Sequence, residues 1–103
     1  MGKLVLQPAP QFKGKIEIPR PGENPAIVEF TFIHRTKAVL DEFVKSRVGV
    51  SDVESFMAMV VGWDIDAEFN EDNVALFLQN YISAAQATFQ GYWLLLVEGK
   101  AKN

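Results

Sequence analysis

All five prolines of the chain, Pro8, Pro10, Pro19, Pro21 and Pro25, fall within its first 25 residues. Proline fixes φ and removes a backbone N–H, so that stretch disfavours helices, which are expected later in the chain. What the first third offers instead is alternation. Lys15-Ile16-Glu17-Ile18 and Val28-Glu29-Phe30-Thr31-Phe32 both switch between polar and apolar residues with period two, as half-buried strands do. Between them Pro19-Arg20-Pro21-Gly22-Glu23-Asn24-Pro25 is dense in turn formers, which predicts a hairpin with a long loop. Val28, Phe30 and Phe32 then share one face. Ile27 and Ile33 share the other with Glu29 and Thr31, and that mixed face is a candidate contact surface. Leu4-Val5-Leu6 is a candidate third, short strand.

From Thr36 onward the spacing becomes helical. Thr36 stands as an N-cap before Val39, Leu40, Phe43 and Val44, a helix expected to end near Gly49. Ser51-Asp52-Val53-Glu54 has the capping-box pattern, and Val53, Phe56, Met57, Val60 and Val61 follow at i, i+3, i+4, i+7 and i+8, with Gly62 expected to end the helix in a left-handed conformation. Asn70 caps a third helix, Glu71 and Asp72 complement its dipole, Phe69 can staple onto Val74, and Val74, Phe77, Leu78, Tyr81 and Ile82 form its stripe. Ser83-Ala84-Ala85-Gln86 repeats the capping-box pattern, so a fourth helix is expected to start there. Nothing in Tyr81-Ile82 forbids one continuous helix to Glu98, and that alternative stays open. The predicted class is α+β: a small N-terminal antiparallel sheet, either a hairpin or three strands, followed by a bundle of about four helices.

A chain of 103 residues suits one domain, 1–103, β-rich over 1–35 and helical over 36–103. It is 49% hydrophobic and 22% charged, too apolar for a disordered tail. With no cysteine, disulfides and thiolate metal sites are excluded. The net charge of −3 and scattered basic residues argue against nucleic acid as a partner. The longest apolar run, Tyr92 to Val97, is far shorter than the roughly 20 residues that span a bilayer. The start carries no signal-peptide pattern, so no membrane partner and a cytoplasmic location are expected.

Catalytic readings find little support. His34 is the sole histidine, ends a predicted strand, and has no cysteine to pair with and no neighbouring carboxylate in sequence, so it reads as structural or solvated. Asp64-Ile65-Asp66-Ala67-Glu68 alternates acids like a calcium loop, but Phe69 and Ala75 occupy the positions where an EF-hand needs glycine and glutamate. Glycine-rich phosphate motifs are absent, and no cofactor is implied. Trp63 reads as a core anchor needing one polar partner, and Asp64 as a loop or capping residue.

Read as successive blocks, Ile16-Glu17-Ile18-Pro19-Arg20-Pro21-Gly22, Phe30-Thr31-Phe32-Ile33-His34-Arg35-Thr36-Lys37, Val60-Val61-Gly62-Trp63-Asp64, Asn80-Tyr81, Phe89, Tyr92 and Ala101-Lys102-Asn103 resemble the tail assembly chaperones of long-tailed bacteriophages. The blocks span residues 15 to 103, and their order and spacing carry more weight than any one of them. Members of that family often have a proline after the tyrosine that matches Tyr81, where Ile82 stands here. The resemblance implies a non-enzymatic cytoplasmic protein of phage or prophage origin that holds the long, aggregation-prone tape measure protein while the tail is built. A structural virion subunit, such as a tail tube or connector component, is the alternative. Tube subunits are normally dominated by strands, whereas helix signals here cover about 60 residues, which favours the chaperone.

The last helix suggests where a partner could bind. At 100° per residue, Ala85, Phe89, Tyr92, Trp93 and Leu96 share an arc of about 100°, a normal core stripe. Ala87, Gly91 and Leu94 fall opposite with Leu95 flanking, so the helix is apolar nearly all round, and such a helix is either central to its own domain or sandwiched against another chain. The expected partner-binding residues are therefore Ala87, Gly91, Leu94 and Leu95 on this helix, with Ile27 and Ile33 on the mixed strand face. A homo-oligomer is expected for the same reason.

Overall fold

The computed structural model describes residues 4–100. It is an α+β fold, with strands β1 (Gln11–Arg20) and β2 (Glu23–Ile33), helices α1 (Lys37–Lys45) and α2 (Asp52–Met59), strand β3 (Val60–Trp63), and helices α3 (Glu71–Asn80) and α4 (Ala84–Glu98). The three strands form one antiparallel sheet in the order β1-β2-β3.

The hairpin is longer and tighter than its sequence suggested. Pairing runs from Gln11↔Ile33 to Arg20↔Glu23, leaving Pro21-Gly22 as the turn, with Gly22 at φ 69°. Proline followed by a glycine at positive φ is the chemistry of a two-residue turn, and Arg20 reinforces it through an ion pair to Glu23 at 3.2 Å and a hydrogen bond to the Asn24 carbonyl at 2.7 Å. Pro19 and Pro25 do not lengthen the loop because they lie where the register shifts, at a bulge that needs no ladder N–H from them. Leu4-Val5-Leu6 forms no strand; Leu4 and Leu6 are fully exposed.

The third strand comes instead from the segment expected to finish α2. That helix stops at Met59, and Val60 is extended at φ −116°, ψ 135°. Two adjacent β-branched residues, Val60 and Val61, fit a pleated edge better than a last helical turn, and Phe32 and Phe30 are at hand to pair with Val60 and Trp63. Gly62 therefore ends no helix; it lies opposite Thr31, and its φ is not positive.

The helix starts follow their caps. The Val39 N–H donates to the Thr36 hydroxyl at 3.3 Å, the Glu54 N–H to the Ser51 hydroxyl at 3.2 Å, and the Asn73 N–H to the Asn70 side chain at 2.8 Å. Ser83 makes no such bond; α3 and α4 are separate because Tyr81 leaves helical geometry at φ −117°, ψ 92°.

All four helices contribute to a core built on the sheet face that carries Ile16, Ile18, Val28, Phe30 and Phe32. Phe30 meets Phe56 and Phe77 at 5.5 and 6.3 Å between ring centroids, tying β2 to α2 and α3. α4 packs against β1, and Gly14 makes that possible, because a Cβ there would collide with the Leu95 side chain. Thr88, fully buried in α4, has no hydrogen-bond partner for its hydroxyl.

Two stability measurements test this packing. Gly14→Val should cost about 1–3 kcal/mol in urea unfolding, and Leu95→Ala in the same chain should recover part of it. Strictly additive costs would mean that the two positions do not meet. Thr88→Val, which replaces the unpaired hydroxyl by a methyl of similar shape, should raise stability by about 1 kcal/mol, and a lower melting temperature would contradict that assignment.

Candidate partner-binding surface

The strand period that buries Ile16, Ile18, Val28, Phe30 and Phe32 turns their neighbours to the other side of the sheet. There Lys13, Lys15, Glu17 and Ile27 are exposed and Glu29, Thr31 and Ile33 half-buried. Ile27, at 56% exposure, and Ile33 stand near opposite ends of the central strand, about 20 Å apart at the usual rise per residue. Val61 adds an exposed apolar side chain from β3. The surface is thus apolar at intervals, with charge between.

A second concavity lies between α4 and β1. Ala87, Gly91, Leu94 and Leu95 line it together with Ile27, in a groove of about 990 Å³ bordered by Lys13, Lys15, Glu17 and Lys100. Five of the six residues expected to bind partners are therefore brought to one place, and Ile33 is not among them. Gly91 is buried and Ala87, Leu94 and Leu95 are half-buried, so this side of α4 is partly engaged within the chain.

The stripe expected to fill the core is rotated. The fully buried line of α4 is Ala84, Thr88, Gly91 and Tyr92, while Ala85, Phe89 and Leu96 are half-buried and Trp93 is 40% exposed. Thr88 hid this line, since a hydroxyl in its middle reads as a surface position. On an almost uniformly apolar helix the hydrophobic pattern could not fix the rotation.

The acidic loop has a structural task. The Trp63 indole N–H donates to the Ala67 carbonyl at 2.8 Å, the polar partner its sequence context called for, and the ring packs edge-on against Phe69 and Phe77. Phe69 thus serves Trp63. The Asp64 carboxylate accepts the Glu29 N–H at 3.0 Å while its own N–H donates to the Glu29 carbonyl at 3.1 Å, which prolongs the β2–β3 ladder past Trp63. Among the described residues, no three His, Asp or Glu side chains gather where they could hold a metal ion. No helix there is long and apolar enough to cross a membrane.

A family model described as phage tail assembly chaperone matches residues 1–103, the whole chain. The chain belongs to that family. No curated protein and no solved structure matches it.

What sets the two surfaces of this tail assembly chaperone relative to one another is a lock on Tyr92. Its hydroxyl donates to the Ile33 carbonyl at 2.7 Å and accepts from the Arg35 guanidinium at 3.0 Å. Arg35 and Arg47 both stack on Phe43, with guanidinium carbons 4.0 and 4.2 Å from the ring centroid. Arg47 also donates to the Phe43 carbonyl and the Ser55 hydroxyl, joining α1 to α2. Sequence reasoning missed both arginines, because cation–ring contacts between separate elements leave no periodic signal.

Burial pushes the Tyr92 pKa up from its ordinary 10.0, outweighing the opposite pull of Arg35. The unfolded chain therefore ionises first as pH rises. Tyr92 contributes its full stability below pH 10.0 and loses it as the pH climbs from there through the folded-state value. Tyr92→Phe should cost about 1–2 kcal/mol at neutral pH and flatten the fall in stability above pH 10. Unchanged alkaline unfolding in that variant would show that the hydroxyl is not the titrating group.

Proposed function

We propose that this tail assembly chaperone is a non-enzymatic holdase that binds the tape measure protein in the cytoplasm of the bacterial host and keeps it soluble while the tail is built. The observation that carries the reading is the family match over the whole chain. The geometry supports it with a sheet face bearing Ile27 and Ile33 at intervals, suited to weak, repeated contacts with apolar stretches of a long client. We assign that face to the client. The side of α4 carrying Ala87, Gly91, Leu94 and Leu95 we assign to a second copy of the chain, so that the working form is a homo-oligomer. No cofactor, nucleic acid or membrane enters this mechanism; binding alone withholds the client from aggregation.

Coexpression with the tape measure protein tests the client surface. The double variant Ile27→Glu/Ile33→Glu should keep its helical signal and melting behaviour yet leave the tape measure protein in the insoluble fraction. Asn70→Ala, which removes the α3 cap and about 1 kcal/mol of stability, should still keep the client soluble. A soluble client with the double glutamate variant would remove the sheet face from the proposal.

A further inference from the structure

The edge of β1 specifies how a second copy docks. Among the described residues β1 pairs only with β2, so its other side is a sheet edge. The His34 N–H donates to the Pro10 carbonyl at 2.8 Å, continuing the register Gln11↔Ile33, and this fixes the phase of the ladder. Even-numbered residues of β1 bond β2. Odd-numbered ones, Gln11, Lys13, Lys15 and Glu17, turn their N–H and C=O groups outward. The bonds from Glu29 to Asp64 on the β3 side agree, since Glu29 is the cross-strand partner of Lys15 and bonds away from it.

We propose that two copies join antiparallel through their β1 edges about a two-fold axis at Ile16, forming one six-stranded sheet. This develops the self-association proposed above and is independent of the client's identity. With Ile16 opposite Ile16 of the second copy, Lys15 stands opposite Glu17 twice by symmetry, and each pair exchanges backbone hydrogen bonds. The neighbouring registers are worse: a shift of one pairing step either sets Lys15 against Lys15, with Lys13 opposite Glu17, or sets Glu17 against Glu17, so each carries a like-charged pair on the axis that the Ile16 register lacks. Charge complementarity thus selects one alignment out of three. Glu17 already interacts within its own chain, and a carboxylate with two oxygens can accept the added cation as well. Lys13 meets Pro19 at the ends of the pairing, where the missing proline N–H closes the ladder.

The same axis brings α4 beside its copy on the core side of the joined sheet. The groove that wraps the β1 edge is lined on that side by Ala87 and Leu94, both half-buried in the single chain, which leaves surface there for the second helix to cover. Strand edge and helix side then close one continuous interface.

Sedimentation analysis of the full chain tests this. The wild type should be dimeric, or a multiple of dimers, at micromolar concentration. Lys15→Glu and Glu17→Lys should each weaken the dimer by about tenfold or more, since each variant sets two like-charged pairs face to face. The double variant Lys15→Glu/Glu17→Lys should restore association close to wild type. Circular dichroism of each variant checks that these exposed positions leave the fold intact. In the cysteine-free chain, Lys15→Cys/Glu17→Cys should also cross-link to a covalent dimer under mild oxidation. A monomeric wild type would overturn self-association and this interface together. A dimer indifferent to the single reversals, one not rescued by the double variant, or one that fails to cross-link would overturn the interface alone.

Discussion

The ring of Tyr92 stands against Phe12 and Phe32 of the sheet and Phe43 of α1, with centroids 6.3, 5.2 and 6.3 Å away, and its hydroxyl closes onto the Ile33 carbonyl. Those contacts set the height and rotation of α4 against the sheet at one fully buried side chain. Leu95, three residues further on, can then sit over Gly14, and Gly91, one residue earlier, is carried to the groove beside β1. Rotating α4 by one position would strip the hydroxyl of both partners in a buried setting, a cost in the range of 1–3 kcal/mol before any packing is lost. Arg35 supplies the second half of the restraint. It reaches back to Tyr92 from the residue pair that follows β2 and shares the Phe43 ring with Arg47, so sheet, α1 and α4 are joined by one aromatic and cationic cluster.

Local chemistry made much of this fold legible. Thr36, Ser51 and Asn70 cap the helices that their side chains announced, because a cap bond spans three residues and depends on little else. The alternation around Ile16 and Phe30 placed the buried sheet face correctly for the same reason. The failures share a cause as well. Val60 and Val61 continue the i, i+3, i+4 pattern of α2, yet the chain turns into β3 there because Phe30 and Phe32, some thirty residues away, supply the pairing partners. A window along the sequence contains no trace of that distant strand.

The same limit governed the candidate surface. The mixed face of β2 was readable since a strand has only two sides and the core claims one. The rotation of α4 was not, for with Leu94, Leu95 and Leu96 in succession every angle buries leucine, and what decides it is a hydrogen bond from Tyr92 to a strand carbonyl. Ala87, Gly91, Leu94 and Leu95 nevertheless line one groove, because their mutual spacing holds whatever way the helix turns.

The proposed holdase role carries a physical conflict that bears on how these surfaces are arranged. The chain must present apolar side chains to an unfolded client without offering the same groups to every other copy of itself. An open sheet edge sharpens the conflict, since unpaired N–H and C=O groups accept any extended segment. Lys13 and Lys15 on β1 discourage indiscriminate pairing by placing two cations on the outward-facing positions of the edge, while Glu17 leaves one register in which Lys15 is matched and no like charges meet. Closing the edge through that single register would remove the hazard and leave the sheet face with Ile27 and Ile33 of each copy pointing the same way. The strand that carries the charge pattern would then separate the two tasks, with self-recognition at the edge and client contact on the face.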